Sequence, residues 1–221
     1  ADAPLVRPET IAQMMQTCES GGSSATLLTA ELPDAGMYGR IVRDSSGAVK
    51  GIVEAKDASP VLRAIREICT SIYAFKTADL LPALHHLSPE NRQKEYYLTD
   101  VIGMFVQDGK KVDAWVVDDP DEVLGINTRV ELANATAILR TRILREHMLA
   151  GVTMIDPSSV YIDVGVTIGR DTVIYPGTVI EGTCEIGEAC TLGPNTRIVR
   201  STLAAGVTVE YSVLVESEVG Q

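Results

Sequence analysis

The chain has 221 residues, 45% of them hydrophobic and 5% aromatic, with a formal net charge of −11. That length allows one or two domains of ordinary globular composition. No run approaches the about eighteen apolar residues of a membrane span, no secretory leader is visible, and the negative charge argues against DNA or RNA, whose phosphates need neutralising.

Both halves are acidic. Residues 1–150 carry 16 basic and 21 acidic side chains, and residues 151–221 carry 3 and 9. The first predicted element is a helix over residues 8–20, with Pro8 near its first turn and Ile11, Met14 and Met15 on one face. Residues 24–32 form a buried-strand candidate. Residues 40–43 and 49–54 read as short strands joined by Ser45-Ser46-Gly47, a hairpin signal. Another strand covers residues 67–75. A helix over residues 77–86 has Thr77 as its expected N-cap, and a second amphipathic helix over 98–107 ends at Asp108-Gly109. Residues 112–117 read as a strand. A long helix follows over 127–149, with Leu132, Leu139, Ile143 and Met148 near helical spacing, and Gly151 marks its end. Strands alternating with helices argue for an α/β domain.

From residue 162 the pattern changes. Ile162, Ile168, Ile174, Ile180, Ile186, Leu192 and Ile198 recur at every sixth position. A period of six fits neither a helix nor an isolated strand; it is the signature of a parallel β-helix. Four residues after each aliphatic stand Val166, Thr172, Thr178, Cys184, Cys190 and Thr196, all small or β-branched. Gly169, Gly187 and Gly193 directly follow their aliphatics, and Pro176, Gly177, Gly182 and Pro194 sit at expected corners, where glycine's tolerance of positive φ suits a turn. After Ile198 the phase slips, and Leu203, Val209, Leu214 and Val219 continue it at spacings of five or six. At roughly 18 residues per coil, residues 161–221 supply about three coils.

The four cysteines, Cys18, Cys69, Cys184 and Cys190, form no CxxC pair or zinc-spaced cluster. Cys184 and Cys190 occupy small-residue positions of the repeat and read as structural. Unpaired thiols without a secretion signal point to a reducing cytoplasm. No Gly-rich phosphate loop of standard spacing is present. His85, His86 and His147 fall at or near helix ends and read as solvated or capping side chains. Polar clusters stand out elsewhere. Asp2 precedes Ala3-Pro4-Leu5 at an expected strand end, where ligands collect in open α/β sheets. Gly39 and Glu54 lie at strand ends of the hairpin. Tyr97 and Thr99 belong to a run of acids, aromatics and a hydroxyl before a helix. Asn127 sits at a helix N-terminus, where capping is the simpler reading of the pattern and a ligand role the alternative.

The segments ADAPLV, MYGRIVRD, IVEAKDA, EICTSIYAF, EYYLTD and GINTRVELA, followed by the hexapeptide run, occur in the order found in a known family. Over essentially its whole length the chain resembles the bifunctional UDP-N-acetylglucosamine pyrophosphorylase / glucosamine-1-phosphate N-acetyltransferase. The resemblance implies a partial Rossmann-like nucleotidyltransferase domain over residues 1–126, a connecting helix over 127–150, and the first coils of a left-handed parallel β-helix over 151–221 that assembles as a homotrimer. It implies that Asp2 and Asn127 hold the metal and that Gly39, Glu54, Cys69, Tyr97 and Thr99 contact the sugar nucleotide, with Asp2 and Asn127 also near it. No catalytic residue is assigned. Cys69 stands where the family usually has Asn, and Ser71 where it often has Gly.

The implied chemistry is uridylyl transfer. The phosphate of N-acetylglucosamine 1-phosphate attacks the α-phosphorus of UTP, and pyrophosphate leaves. The protein aligns the reactants and offsets charge, helped by a hard cation such as Mg²⁺ that takes few protein ligands. The family's nucleotide loop would precede Asp2 and its acetyltransferase coils would follow residue 221, so the chain alone is expected to be inactive. Two alternatives remain open: a trimerising scaffold or sugar-nucleotide binder of the same fold, and a pyrophosphorylase for another sugar 1-phosphate.

Overall fold

The computed structural model describes residues 3–220. They divide into two compact units, Ala1–Glu131 and Leu132–Gln221, a limit that falls inside the helix the sequence sets apart as a connector.

The first unit is built on a five-stranded mixed sheet. After α1 (Pro8–Gly21) come β1 (Ala25–Glu31), the hairpin β2 (Gly39–Arg43) and β3 (Val49–Val53), the single-turn α2 (Pro60–Arg63), and β4 (Glu67–Phe75). Then follow α3 (Thr77–Leu84), α4 (Asp100–Gln107) and β5 (Val112–Val116). The strand order is β3-β2-β4-β1-β5. Only β1 and β5 run parallel among these pairs. Every residue of β1 except Glu31 is buried, as expected of a central strand covered on both faces. One side packs Met14, Leu28 and Ile68, and the other packs Leu27, Ile41, Val101 and Phe105.

Three local expectations change. Met14 is buried, but Met15 is 51% exposed; Thr10 and Cys18 complete the inner face of α1 instead. Thr77 is not the cap of α3, because Lys76 takes that position without a side-chain bond. In α5 (Arg129–Leu149) the buried residues are Ala135 and Leu144, while Leu132, Leu139 and Met148 remain 41%, 40% and 39% exposed.

The second unit ends in a left-handed parallel β-solenoid of about four turns. Its strands are two or three residues long. Among the described residues they stack into three sheets of four strands each. Ile162, Ile180, Ile198 and Leu214 align in one sheet; Ile168, Ile186, Leu203 and Val219 align in the second. The third begins earlier than the hexapeptide count implies, at Met154, and continues through Ile174, Leu192 and Val209. That extra strand raises the expected three coils to four. The aliphatics and the small-residue register fill one shared core, with Cys184 and Cys190 fully enclosed.

The glycines serve two different needs. Gly177 and Gly182 have positive φ, as the corner argument expects, and so does Gly193, which directly follows its aliphatic. Gly169 and Gly187 do not; they are required because the next coil passes too close. A Cβ on Gly187 would lie 2.5 Å from the Ala205 nitrogen. The phase slip also has a structural cause. In the six-residue spacings 168 to 174, 186 to 192 and 192 to 198 the left-handed residue comes three positions after the aliphatic (Asp171, Ala189 and Asn195), whereas in each five-residue spacing, 198 to 203, 209 to 214 and 214 to 219, it comes two positions after (Arg200, Tyr211 and Glu216). These tight corners remove one residue per turn while the aliphatics stay in register.

Candidate functional site

The site is assembled where the start of β2 pairs with β4, inside the sheet. Arg40 is buried and its guanidinium donates to the carbonyls of Ala35, Gly36 and Tyr38. An arginine fork that satisfies several carbonyls at once fixes a turn tightly. The turn delivers Gly39 directly opposite Cys69. A Cβ on Gly39 would stand 3.1 Å from Ile52 Cγ2, 3.5 Å from Glu54 Oε2 and 3.6 Å from Cys69 Cβ. Gly39, Glu54 and Cys69 therefore share one small space that a larger residue at 39 would fill.

Glu54 is positioned by its neighbour. Thr99 Oγ1 donates to Glu54 Oε1 at 3.0 Å, and Thr99 is buried. The second carboxylate oxygen, Oε2, is the one that faces Gly39. Ile52, Glu54, Asp57, Asn91, Tyr97 and Asp100 line the adjoining cleft. Burial pushes the Asp100 carboxyl above its ordinary range, and the negative charge of Asp57 adds to the rise. Tyr97 is half-buried, and its hydroxyl accepts from Gln93 Nε2 at 2.6 Å.

Cys69 Sγ lies 3.0 Å from Tyr73 Oη. Burial raises the Cys69 thiol above its ordinary value, outweighing the Tyr73 hydrogen bond, and burial likewise drives the Tyr73 phenol up. Both groups stay neutral at physiological pH. Cys69 is thus a buried polar contact and not a thiolate nucleophile. Ser71 has φ 61, a left-handed conformation in which glycine is the easier residue. It lies where β4 bulges against β1, between the pairs Thr29↔Cys69 and Leu27↔Tyr73.

Asn127 sits apart from this cluster, on a segment anchored beside it: the Gly125 N–H donates to Tyr38 Oη at 3.0 Å. The capping reading of Asn127 is replaced. Thr128 is the cap: its Oγ1 accepts from the Glu131 N–H at 3.2 Å, and Glu131 Oε2 accepts from the Thr128 N–H at 2.6 Å. This reciprocal pair is a capping box. Asn127 adds only its backbone N–H to Glu131, so its exposed side-chain amide has no capping duty. Asp2, the other expected metal ligand, lies outside the described residues. Among the described residues, no cluster of three His, Cys, Asp or Glu side chains could hold a metal ion.

The structure brings together Gly39, Glu54, Cys69 and Thr99, with Tyr97 on the same cleft. Sequence reasoning missed the supporting roles of Arg40, Tyr73 and Gln93. Strand alternation places Arg40 on the face opposite Gly39 and so marks it as a candidate for burial. Gln93 lies in an irregular loop that carries no periodic signal.

A family model, bacterial transferase hexapeptide (six repeats), matches residues 165–200. The chain is 48% identical over 219 residues to the bifunctional protein GlmU of Geobacillus sp. (strain WCH70), which covers 99% of this chain and 48% of that protein. It is 46% identical over 220 residues to the bifunctional protein GlmU of Streptomyces avermitilis, covering 99% of this chain and 46% of the relative. A Clostridium botulinum (strain 657 / Type Ba4) protein of the same name is 47% identical over 220 residues, covering 100% of this chain and 48% of its own length. The chain spans about half the length of the curated relatives it matches. No helix among the described residues is long and apolar enough to cross a membrane.

Proposed function

We propose, from the premise that the chain is a relative of the bifunctional GlmU proteins along 99% of its length, that its first unit holds the sugar side of a sugar-nucleotide site. The whole protein then forms UDP-N-acetylglucosamine by uridylyl transfer from UTP to N-acetylglucosamine 1-phosphate. The observation that carries this reading is the convergence of Gly39, Glu54, Cys69 and Thr99 where β2 pairs with β4.

The geometry supports a role for each residue. Thr99 occupies one oxygen of Glu54, leaving Oε2 to accept from a sugar hydroxyl. Gly39 leaves room for the ring beside it. Cys69 offers a weak, neutral hydrogen-bonding group, held at one side by Tyr73. Asn127 suits a hard divalent cation: its amide oxygen is the right donor type and is not engaged in capping. Asp2 and Asn127 would hold that cation, taken to be Mg²⁺, which offsets charge on the transferring phosphoryl group. The solenoid supports assembly as a homotrimer, and the unpaired thiols suit the cytoplasm.

Calorimetric titration with UDP-N-acetylglucosamine and Mg²⁺ tests the reading. Binding is expected for the wild type and loss of at least about 10-fold for Glu54→Ala, as for a hydrogen bond to a charged group. Equal affinity in the two proteins sinks the assignment.

A further inference from the structure

We propose that Gln93 is a positioning residue of the sugar cleft: oriented by Lys56, it makes the Tyr97 hydroxyl an acceptor on one side and so commits the single Tyr97 proton to an oxygen of the bound sugar. The inference rests on the sugar-site reading above and deepens it.

The argument is one of hydrogen-bond polarity. Lys56 Nζ lies 2.5 Å from Gln93 Oε1. An ammonium only donates, so the amide must turn its oxygen towards Lys56 and its NH₂ the other way. That NH₂ is 2.6 Å from Tyr97 Oη. An amide nitrogen also only donates, so the phenol accepts there. A hydroxyl has one proton, and among the described residues no acceptor takes it from Tyr97. Tyr97 itself lines the cleft, together with Glu54, Asp57, Glu90 and Asp100, so the proton is left for a ligand bound there. Four carboxylates repel a phosphate. They suit sugar hydroxyls, whose protons go to the carboxylates while an oxygen accepts from Tyr97.

The relay is anchored at both ends. Arg92 NH1 donates to the Lys56 carbonyl at 2.9 Å and Arg92 pairs with Asp57 at 3.7 Å. Asn91 Oδ1 accepts from the Gln93 N–H at 3.1 Å. The loop before Tyr97 is thereby docked on the turn that follows Glu54, and Lys56 carries the polarity from that turn to Tyr97.

Gln93→Glu separates this role from simple loop anchoring. The variant keeps side-chain length and strengthens the Lys56 pairing, but both of its oxygens accept. Tyr97 must then donate to residue 93, and the ligand loses its donor. The experiment is calorimetric titration of the chain with UDP-N-acetylglucosamine and Mg²⁺, with thermal melting of each variant to establish folding. Gln93→Glu and Tyr97→Phe are each expected to weaken binding by about 10-fold, and the double variant by no more than either alone. If Gln93→Glu binds like the wild type while Gln93→Ala weakens binding, Gln93 merely anchors the loop and the proposal is overturned. An unchanged affinity in Tyr97→Phe overturns it as well. Absence of wild-type binding fails the sugar-site reading itself, and the proposal with it.

Discussion

In the solenoid, each buried aliphatic rests on its counterpart one coil away, as Ile162, Ile180 and Ile198 do. In the sheet unit the buried side chains divide into two clusters on opposite faces, without repetition between them. Repetition leaves the solenoid with three equivalent faces and short, regular corners. The sheet unit instead has an irregular region, where a turn held by Arg40 and a loop ordered by Asn91 converge on Glu54. The convergent polar groups of the candidate site, Gly39, Glu54, Cys69 and Thr99, lie in the sheet unit, where strand ends and loops of unequal length meet.

A core deletion in the solenoid is the strongest way to break this comparison. Ile198 is completely buried, and Ile198→Ala is expected to cost about 4 kcal/mol. Trp115, the only tryptophan, stands in β5 and reports the sheet unit alone. Urea unfolding followed by far-UV dichroism should shift for the solenoid while Trp115 fluorescence keeps its midpoint. A joint shift would mean that the units unfold as one. Gly187→Ala is next, at about 3 kcal/mol, because the new methyl group collides with backbone that cannot rotate away; the same pair of signals measures it.

Thr128→Ala removes one half of the capping box and is expected to cost about 1 kcal/mol in thermal unfolding. The box also has a pH signature. Glu131 is held below its ordinary carboxylate value, first by the Asn127 N–H and then by the Thr128 hydroxyl and N–H. Its contribution is fully present above the unfolded value near 4.5 and is lost as pH falls through the lowered one. Glu131→Gln should flatten that part of the acid unfolding curve. One effect of similar size is a gain: Ser71→Gly relieves a left-handed φ and should stabilise the sheet unit by about 1 kcal/mol in Trp115-monitored unfolding.

The fold was legible where side-chain pattern and backbone period coincide. The aliphatic run from Ile162 to Ile198 marks the solenoid because the same environment recurs every six residues, and β4 is bounded as expected because β-branched and aromatic residues flank its Thr70-Ser71 interruption. Met154 escaped because it lies before the hexapeptides yet pairs with Ile174. The inner face of α1 was misjudged at Met15 because apolar identity does not reveal which of two adjacent methionines points inward. For the site, Gly39, Glu54, Cys69 and Thr99 could be named in advance through resemblance to a family. Tyr73 and Gln93 could not, since their roles depend on a bulge and on an irregular loop. Thr128 was readable: a threonine three residues before a glutamate at a helix start is a capping box, and it frees Asn127 from that duty.

The placement of the cysteines makes the molecule its own stopwatch. All four are unpaired and buried, with Cys18 and Cys69 in the sheet unit and Cys184 and Cys190 inside the solenoid. A thiol reagent reaches Cys184 and Cys190, each 1% exposed, only when the solenoid opens, and the 8% exposed Cys18 gives the corresponding signal for the sheet unit; Cys69, at the candidate sugar site, reports ligand protection instead. Timed alkylation read by peptide mass would therefore record separate opening rates for the two units in a single tube, with no engineered probe.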